Sequence, residues 1–279
     1  MVLKFLSYNC SALPLLTHNV SERLEKFTVE VAKYNPDIIV LQELSFTCYL
    51  EMLKKGLKDW PYVFCEPRIL GAISGAIAVF SKVPFSKTAF QAYEHQGTYF
   101  GHSIVAKLSK KGLICVEFDN PKMRLIHTHL IPDYREEYSP GKYFSGILED
   151  QMEEMLSFIE DKNQHEPNVP VVLLGDLNFP PETYLYKRLK SRFDSVDCME
   201  KAEPPPHFSN DQFWSAPGVP LCKGRLDYVL LNPPSAWKVV SSQFVFKESF
   251  KTSSGVTTMI SDHLGVLVEA ELGKGKTKG

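Results

Sequence analysis

Polar residues able to bind a metal or move a proton recur at the ends of apolar runs. "LSYN" ends in Asn9, "IVLQE" in Glu43, "LIHTHL" holds His129, and "VVLLGDLN" delivers Asp176 and Asn178. "RLDYVLL" starts near Asp227, and "SDHLGV" sets Asp262 and His263 before another apolar run. Carboxylate and amide oxygens are hard ligands for divalent cations, and imidazole exchanges protons near neutrality. A rim that gathered these groups would do both. Each residue alone also has a plainer reading. Asn9 fits a turn, Glu43 a solvated strand end, and His129 a hydrogen-bonded core histidine. Asp227 fits a salt bridge to Arg225, and Asp262 a turn cap. Those readings weaken because all six segments occur in one chain.

Such a rim needs strands that finish together. Strands are expected over "VLKFLSYN", "DIIVLQEL", "KMRLIHTHL", "VPVVLLGDLN", "GRLDYVLL", "WKVVSSQFVF" and "HLGVLVEAEL". "GAIAVFSK", "SIVAKLSK" and "GLICVEF" look like an antiparallel meander turned by "SKVP" and "SKKG". A helix is expected over 22–34, capped by Ser21, with Leu24, Phe27, Val29 and Val31 facing inward. Others are expected near 46–58 and 144–162, the latter with Ile147, Met152, Met155, Leu156 and Ile159 as its core stripe. Residues 131–142 and 201–224 read as loops. Many strands plus several helices imply an α/β (α+β) fold of two packed sheets flanked by helices.

Bulk properties narrow the function. The chain has 279 residues, near the upper size for one core. One domain over 1–272 and a flexible basic tail, "GKGKTKG", over 273–279 are expected. Net charge is −2, so no global basic field awaits nucleic acid, although a local groove is compatible with it. The 6 cysteines show no CxxC pair, which removes zinc-finger spacing and favours free thiols in a reducing compartment. The N-terminus does not read as a signal peptide, and no apolar run has the length of a membrane span. A cytoplasmic monomer, peripheral to membranes at most, is the expectation.

Taken in order, "YNC…LQEL…HTHL…GDLN…RLDYVLL…SDHLGV" resembles the endonuclease/exonuclease/phosphatase superfamily over nearly the whole chain. The resemblance implies the DNase-like fold, a four-layered sandwich of two mixed sheets between helices. It implies phosphoester hydrolysis with Mg²⁺, for which Mn²⁺ can substitute. Glu43 would be the principal metal ligand, with Asn9 through its amide oxygen and Asp262 as a further contact. His263 would be the general base, oriented by Asp227. Asp176 would position or activate the water; sequence leaves open which of Asp176 and His263 takes the proton. Asn178 would donate to a phosphate oxygen and His129 to the phosphoryl oxygen as charge grows on it. Asp176 and Asn178 would share one strand face, with Gly175 allowing close backbone approach. His127 reads as a packed neighbour of His129.

Within the superfamily the chain most resembles neutral sphingomyelinases, through "SGAIAVFSKVPF", "IHTHL" followed by a Tyr-containing loop, and "GDLNFPPET". That resemblance implies sphingomyelin or a related phospholipid at a membrane surface as substrate. The alternatives are a nuclease or DNA-end phosphodiesterase acting on nucleic acid, and a non-catalytic binding module on the same fold. Two departures stand out. "TYFGHSIVAKL" carries Gly-His-Ser where sphingomyelinases often show Lys-Gly, and Ser11 stands where abasic endonucleases often carry an acid. Tyr134, Tyr138, Tyr143 and Phe144, or the segment 211–221, could meet lipid or simply pack on the body.

Overall fold

The computed structural model describes residues 1–14, 16–97, 104–202 and 224–273. The tail beyond Gly273 and most of the Pro-rich loop fall outside them, as do the 211–221 segment and Cys222. Alternating side chains build the core. In β1 (Val2–Ala12), Leu3 and Phe5 face one side, Leu6 and Tyr8 the other. In β8 (Val171–Asp176), Val172 and Leu174 oppose Val171 and Leu173. A strand apolar on both faces must be covered on both, and the fold meets that demand with four layers.

The first sheet runs β11 (Trp237–Val245), β14 (Gly265–Leu272), β1, β2 (Ile38–Leu44), β4 (Ala78–Ser81), β3 (Tyr62–Phe64). The second runs β5 (Lys87–Ala92), β6 (Gly112–Asp119), β7 (Lys122–His129), β8, β10 (Asp227–Asn232), β9 (Val196–Asp197). Phe5, Val40, Val116, Leu125, Val172 and Val268 pack between them. Helices α1 (Val20–Tyr34) and α2 (Thr47–Gly56) cover the outer face of the first sheet. Helices α4 (Tyr143–His165) and α5 (Tyr184–Arg192) cover that of the second. A small hairpin, β12 (Phe250–Lys251) with β13 (Thr257–Thr258), stands apart. The five described cysteines are free thiols. No helix among the described residues is long and apolar enough to cross a membrane.

Several local expectations fail for physical reasons. "SIVAKLSK" is not a strand: α3 (Ile104–Ser109) occupies it. Short apolar runs carry too few residues to separate a period of 2 from one of 3.6. The meander also dissolves, because β4 pairs in the first sheet and β6 in the second. Helix α1 begins at Val20, so Ser21 lies inside it rather than capping it. Val29 is 59% exposed, two positions from Phe27 and hence across the helix. The stripe of α4 faces inward as expected, although Ile147 is only partly buried.

His127 bolts the sheets together. It points from β7 toward the first sheet, with Nε2 3.0 Å from the Leu41 carbonyl oxygen and Nδ1 3.2 Å from that of Leu174. Burial pushes its pKa down to about 4, although the two carbonyls favour the charged ring. An unfolded histidine titrates near ~6.5. The unfolded chain therefore takes up this proton first as pH falls. Stability is fully present above about 6.5 and declines by about 3 kcal/mol on the way to about 4. Urea unfolding across that range should show the decline, and His127→Gln should remove that part of it. An unchanged pH slope in the variant would refute the assignment.

Candidate active site

Strand register delivers the site. β7 and β8 run parallel with His129 opposite Asp176, and β10 runs antiparallel to β8 with Asp227 opposite Asp176. Asp227, Asp176 and His129 thus form one row across the second sheet. In the first sheet β1 and β2 run parallel, and their ends carry Asn9 and Glu43. β14 runs antiparallel to β1, so the segment entering it, Asp262–His263, begins beside Asn9. The Ser261 hydroxyl donates to the Asn9 carbonyl at 2.7 Å and fixes that approach. All eight expected residues therefore meet at one rim of the two sheets.

The backbone is strained there. Ser11 (φ 47), Glu43 (φ 58) and Asn178 (φ 57) are all left-handed, a conformation that non-glycine residues adopt at a cost and that clusters at functional sites. β1 bulges between Asn9 and Ala12, which turns Asn9 toward its neighbours. At Gly175 (φ 143) a Cβ would lie 1.9 Å from the Thr128 carbonyl oxygen. Only glycine permits that approach one residue before Asp176.

Arg23, fully buried, holds the loop ends. Its guanidinium donates to the carbonyls of Cys10, Ser11, His18 and Ile260 and to the Thr17 hydroxyl. It therefore ties the chain after Asn9 to the chain before Asp262. A planar five-donor group suits this task better than an ammonium.

The side chains interlock. Asn9 Nδ2 donates to Glu43 Oε1 at 3.1 Å and to Asp176 Oδ2 at 3.1 Å. Its Oδ1 accepts from the Ser11 backbone N–H at 3.0 Å, which sets the amide's orientation. Here, then, Asn9 bridges two carboxylates as a donor. Asp176 Oδ1 accepts from Asn178 N at 3.0 Å. β8 ends at Asp176, so a turn and not strand alternation brings Asn178 alongside. One Asn178 amide bond goes to the Leu130 carbonyl at 2.9 Å, and an amide group holds two such donors. His263 Nδ1 lies 2.8 Å from Asp227 Oδ2, and its Nε2 lies 3.9 Å from Asp176 Oδ2. His129 Nε2 lies 3.6 Å from that same oxygen.

Electrostatics follow from this crowding. Burial and then Asp227 raise the Asp176 pKa to about 7. Burial and then Asp262 raise that of Glu43. Burial would lower the His263 imidazole, but Asp227, Asp176 and Asp262 outweigh it and hold the ring well above the ordinary histidine value. Burial, with Lys111 and His263 adding to it, keeps His129 well below that value and so neutral.

The donor set fits a hard divalent cation. Glu43 Oε2 is buried without a hydrogen-bond partner, as is Asp227 Oδ1. A buried, partnerless carboxylate oxygen calls for a cation. Asp262, partly exposed, lies within the electrostatic reach of Glu43. Asp176, Asp227 and His263 also present atoms within 4.8 Å of one another. There, however, His263 Nδ1 is taken by Asp227, and an imidazole suits Mg²⁺ less than oxygen does.

Lys111 was missed from sequence. It lies between α3 and β6, is 5% exposed, and its charge acts on Glu43 and Asp176. Burial lowers its pKa to about 8. A lysine directly before a buried strand, in "SKKGLICVEF", was the available signal, hidden by the reading of "SKKG" as a solvated turn.

A model of the Endonuclease/Exonuclease/phosphatase family matches residues 6–263. The chain belongs to that family and is a metal-dependent phosphoester hydrolase. Among solved structures, sphingomyelinase C from Streptomyces griseocarneus is similar at a TM-score of 0.69 and 18% identity, covering 96% of this chain and 99% of that one. TDP2 from D. rerio, complexed with single-strand DNA product, is similar at 0.68 and 20%, covering 97% and 99%. Beta toxin from Staphylococcus aureus with bound magnesium ions is similar at 0.67 and 16%, covering 96% and 99%. No curated protein matches the chain in a sequence search.

The site makes Lys111 testable. Lys111→Met keeps a long apolar stem but removes the cation from beside Glu43 and Asp176. Hydrolysis of the soluble diester bis-p-nitrophenyl phosphate should fall by about 10²-fold, the scale on which one charge-stabilising donor acts. Wild-type turnover in a folded variant would exclude Lys111 from the reaction.

Proposed function

We propose that this hydrolase is a Mg²⁺-dependent phosphodiesterase acting on sphingomyelin or a related phospholipid. The observation that carries the chemistry is the partnerless, buried Glu43 oxygen facing a rim that also holds Asp176, His129 and the Asp227–His263 pair. The substrate class rests on the neutral-sphingomyelinase resemblance of "SGAIAVFSKVPF", "IHTHL" and "GDLNFPPET", and on a net charge near zero.

Glu43 would hold the metal, with Asp262 adding an oxygen. When bound, Mg²⁺ supplies a Lewis acid for the phosphoryl oxygen. The chain's own groups do the rest. Asp227 accepts a hydrogen bond from the Nδ1–H of His263 and so turns Nε2 toward Asp176. Nε2 and Asp176 Oδ2 lie 3.9 Å apart, so a single water seated beside the pair, not between them, would hydrogen-bond to both. With Nε2 unprotonated, His263 accepts a proton from that water as the water oxygen bonds to phosphorus; the P–O bond to the leaving alcohol breaks, and that oxygen takes a proton from solvent. Asp176, fixed by Asn9 and Asn178, orients the water for attack. Neutral His129 donates to the phosphoryl oxygen as charge develops on it, and Asn178 uses its second amide N–H likewise.

A second reading is a DNA-end phosphodiesterase, favoured by the equal likeness of fold to TDP2 with its DNA product. Sphingomyelin vesicles and single-stranded or abasic oligonucleotides, each incubated with Mg²⁺, separate the two. Phosphocholine release is expected. Cleavage of DNA with no release from lipid would overturn the lipid reading. Glu43→Gln should weaken Mg²⁺ binding in calorimetry and lower turnover by at least about 10²-fold. Unchanged Mg²⁺ affinity would move the metal elsewhere. His263→Ala should also lower turnover by at least about 10²-fold with little change in folding. Near-normal activity in that folded variant would remove His263 from proton transfer.

A further inference from the structure

Ile69 and Leu70 are the most exposed large apolar side chains among the described residues, at 83% and 95%. They are not on a loose loop. Arg68 N donates to Ala72 O at 2.8 Å, Ser74 N to Glu66 O at 2.8 Å, and Pro67 bridges to Ile73. Phe46 bridges to Ala72, and Ile73 N donates to Ser45 O at 3.0 Å. The result is a hydrogen-bonded tip whose two outermost side chains are aliphatic. Leu70 even adopts a left-handed φ of 58 to stand there, a conformation a bulky side chain disfavours.

The tip borders the site. Its anchor, Ser45, lies two residues after Glu43. On its other side Arg68 Nη1 donates to the Leu108 carbonyl at 2.5 Å. Leu108 is itself 57% exposed and lies three residues before Lys111. Arg68 precedes Ile69 in the chain, and Lys107 and Lys110 stand either side of Leu108, with Glu66 as the one acid in the two segments. The whole chain carries −2, so this basic collar is a local feature.

We propose that Ile69, Leu70 and Leu108 form a wedge that enters the acyl boundary of a bilayer, while Arg68, Lys107 and Lys110 meet its acidic headgroups. Aliphatic tips ringed by lysine and arginine match an anionic lipid surface in both hydrophobicity and charge. A protein partner would need a far larger continuous patch than three side chains. Nucleic acid would be met by aromatic stacking surfaces, whereas the exposed side chains of this tip, Ile69, Leu70 and Leu108, are aliphatic. The wedge would bring the Glu43 side of the rim against the membrane. This inference rests on the lipid reading above, and its test separates the two.

The double variant Ile69→Ser, Leu70→Asn alters only exposed side chains, and asparagine tolerates the left-handed backbone. Co-sedimentation with phosphatidylcholine–sphingomyelin vesicles, with and without phosphatidylserine, reads docking. Mg²⁺-dependent hydrolysis of bis-p-nitrophenyl phosphate reads the site itself. Wild type should bind the phosphatidylserine vesicles at least about tenfold more tightly than the variant, with equal hydrolysis of the soluble diester. In Leu70→Trp, tryptophan emission should shift to the blue on adding those vesicles. Equal vesicle binding by wild type and variant, or no binding by wild type, overturns the wedge. Loss of oligonucleotide binding in the variant, with vesicles ignored by wild type, overturns it in favour of nucleic acid. Vesicle binding lost in the variant while neither protein releases phosphocholine upholds the wedge and overturns the lipid-substrate reading. Phosphocholine release from detergent micelles with unchanged vesicle binding does the reverse.

Discussion

Four carboxylates, Glu43, Asp176, Asp227 and Asp262, crowd one partly buried rim, where Asp262 acts on Glu43 and Asp227 on Asp176. Like charges at such separations in low dielectric are costly, and the surrounding structure answers that cost. Asn9 places one amide between Glu43 and Asp176, His263 sits against Asp227, and Lys111 adds a positive charge from the side. A partnerless oxygen still remains on Glu43 and another on Asp227. The demand left over is for a cation, which is why a phosphoester hydrolase of this kind depends on metal.

Holding that arrangement requires a stiff frame. The two sheets supply it through an apolar interior, and the His127 ring spans them, its two nitrogens beside the carbonyls of Leu41 and Leu174. Arg23 does the same work at the rim, by satisfying carbonyls in the last residues of β1 and in the segment that leads into Asp262. The strained backbone at Ser11, Glu43 and Asn178 persists because these contacts leave the chain no relaxed alternative.

Much of this was legible in sequence, though unevenly. Long strands apolar on both faces, such as 171–176, announced themselves, and so did the chemistry at their ends. The six-residue helix α3 did not, since its apolar spacing also satisfies a strand. Lys111 was hidden for a different reason. Lysine is rarely buried, and nothing local reveals that a turn lies over a cluster of carboxylates. Of the aromatic loop residues, which sequence left open between lipid and the body, Tyr134 and Tyr138 pack against the core cluster, while Tyr143 is 54% exposed.

The sequence by itself determined the class of chemistry. Residue type and order, Asn9 through His263, suffice because phosphoester hydrolysis needs oxygen ligands and a proton carrier whatever the scaffold. Only the tertiary structure decided which atoms meet. Register between β7, β8 and β10 set His129, Asp176 and Asp227 in one row. The Ser11 N–H turned the Asn9 amide nitrogen toward the carboxylates, and the turn after β8 placed Asn178. These are pairings across as many as 167 residues of chain, and spacing along a sequence carries no information about which carbonyl or N–H will lie opposite once the sheets close.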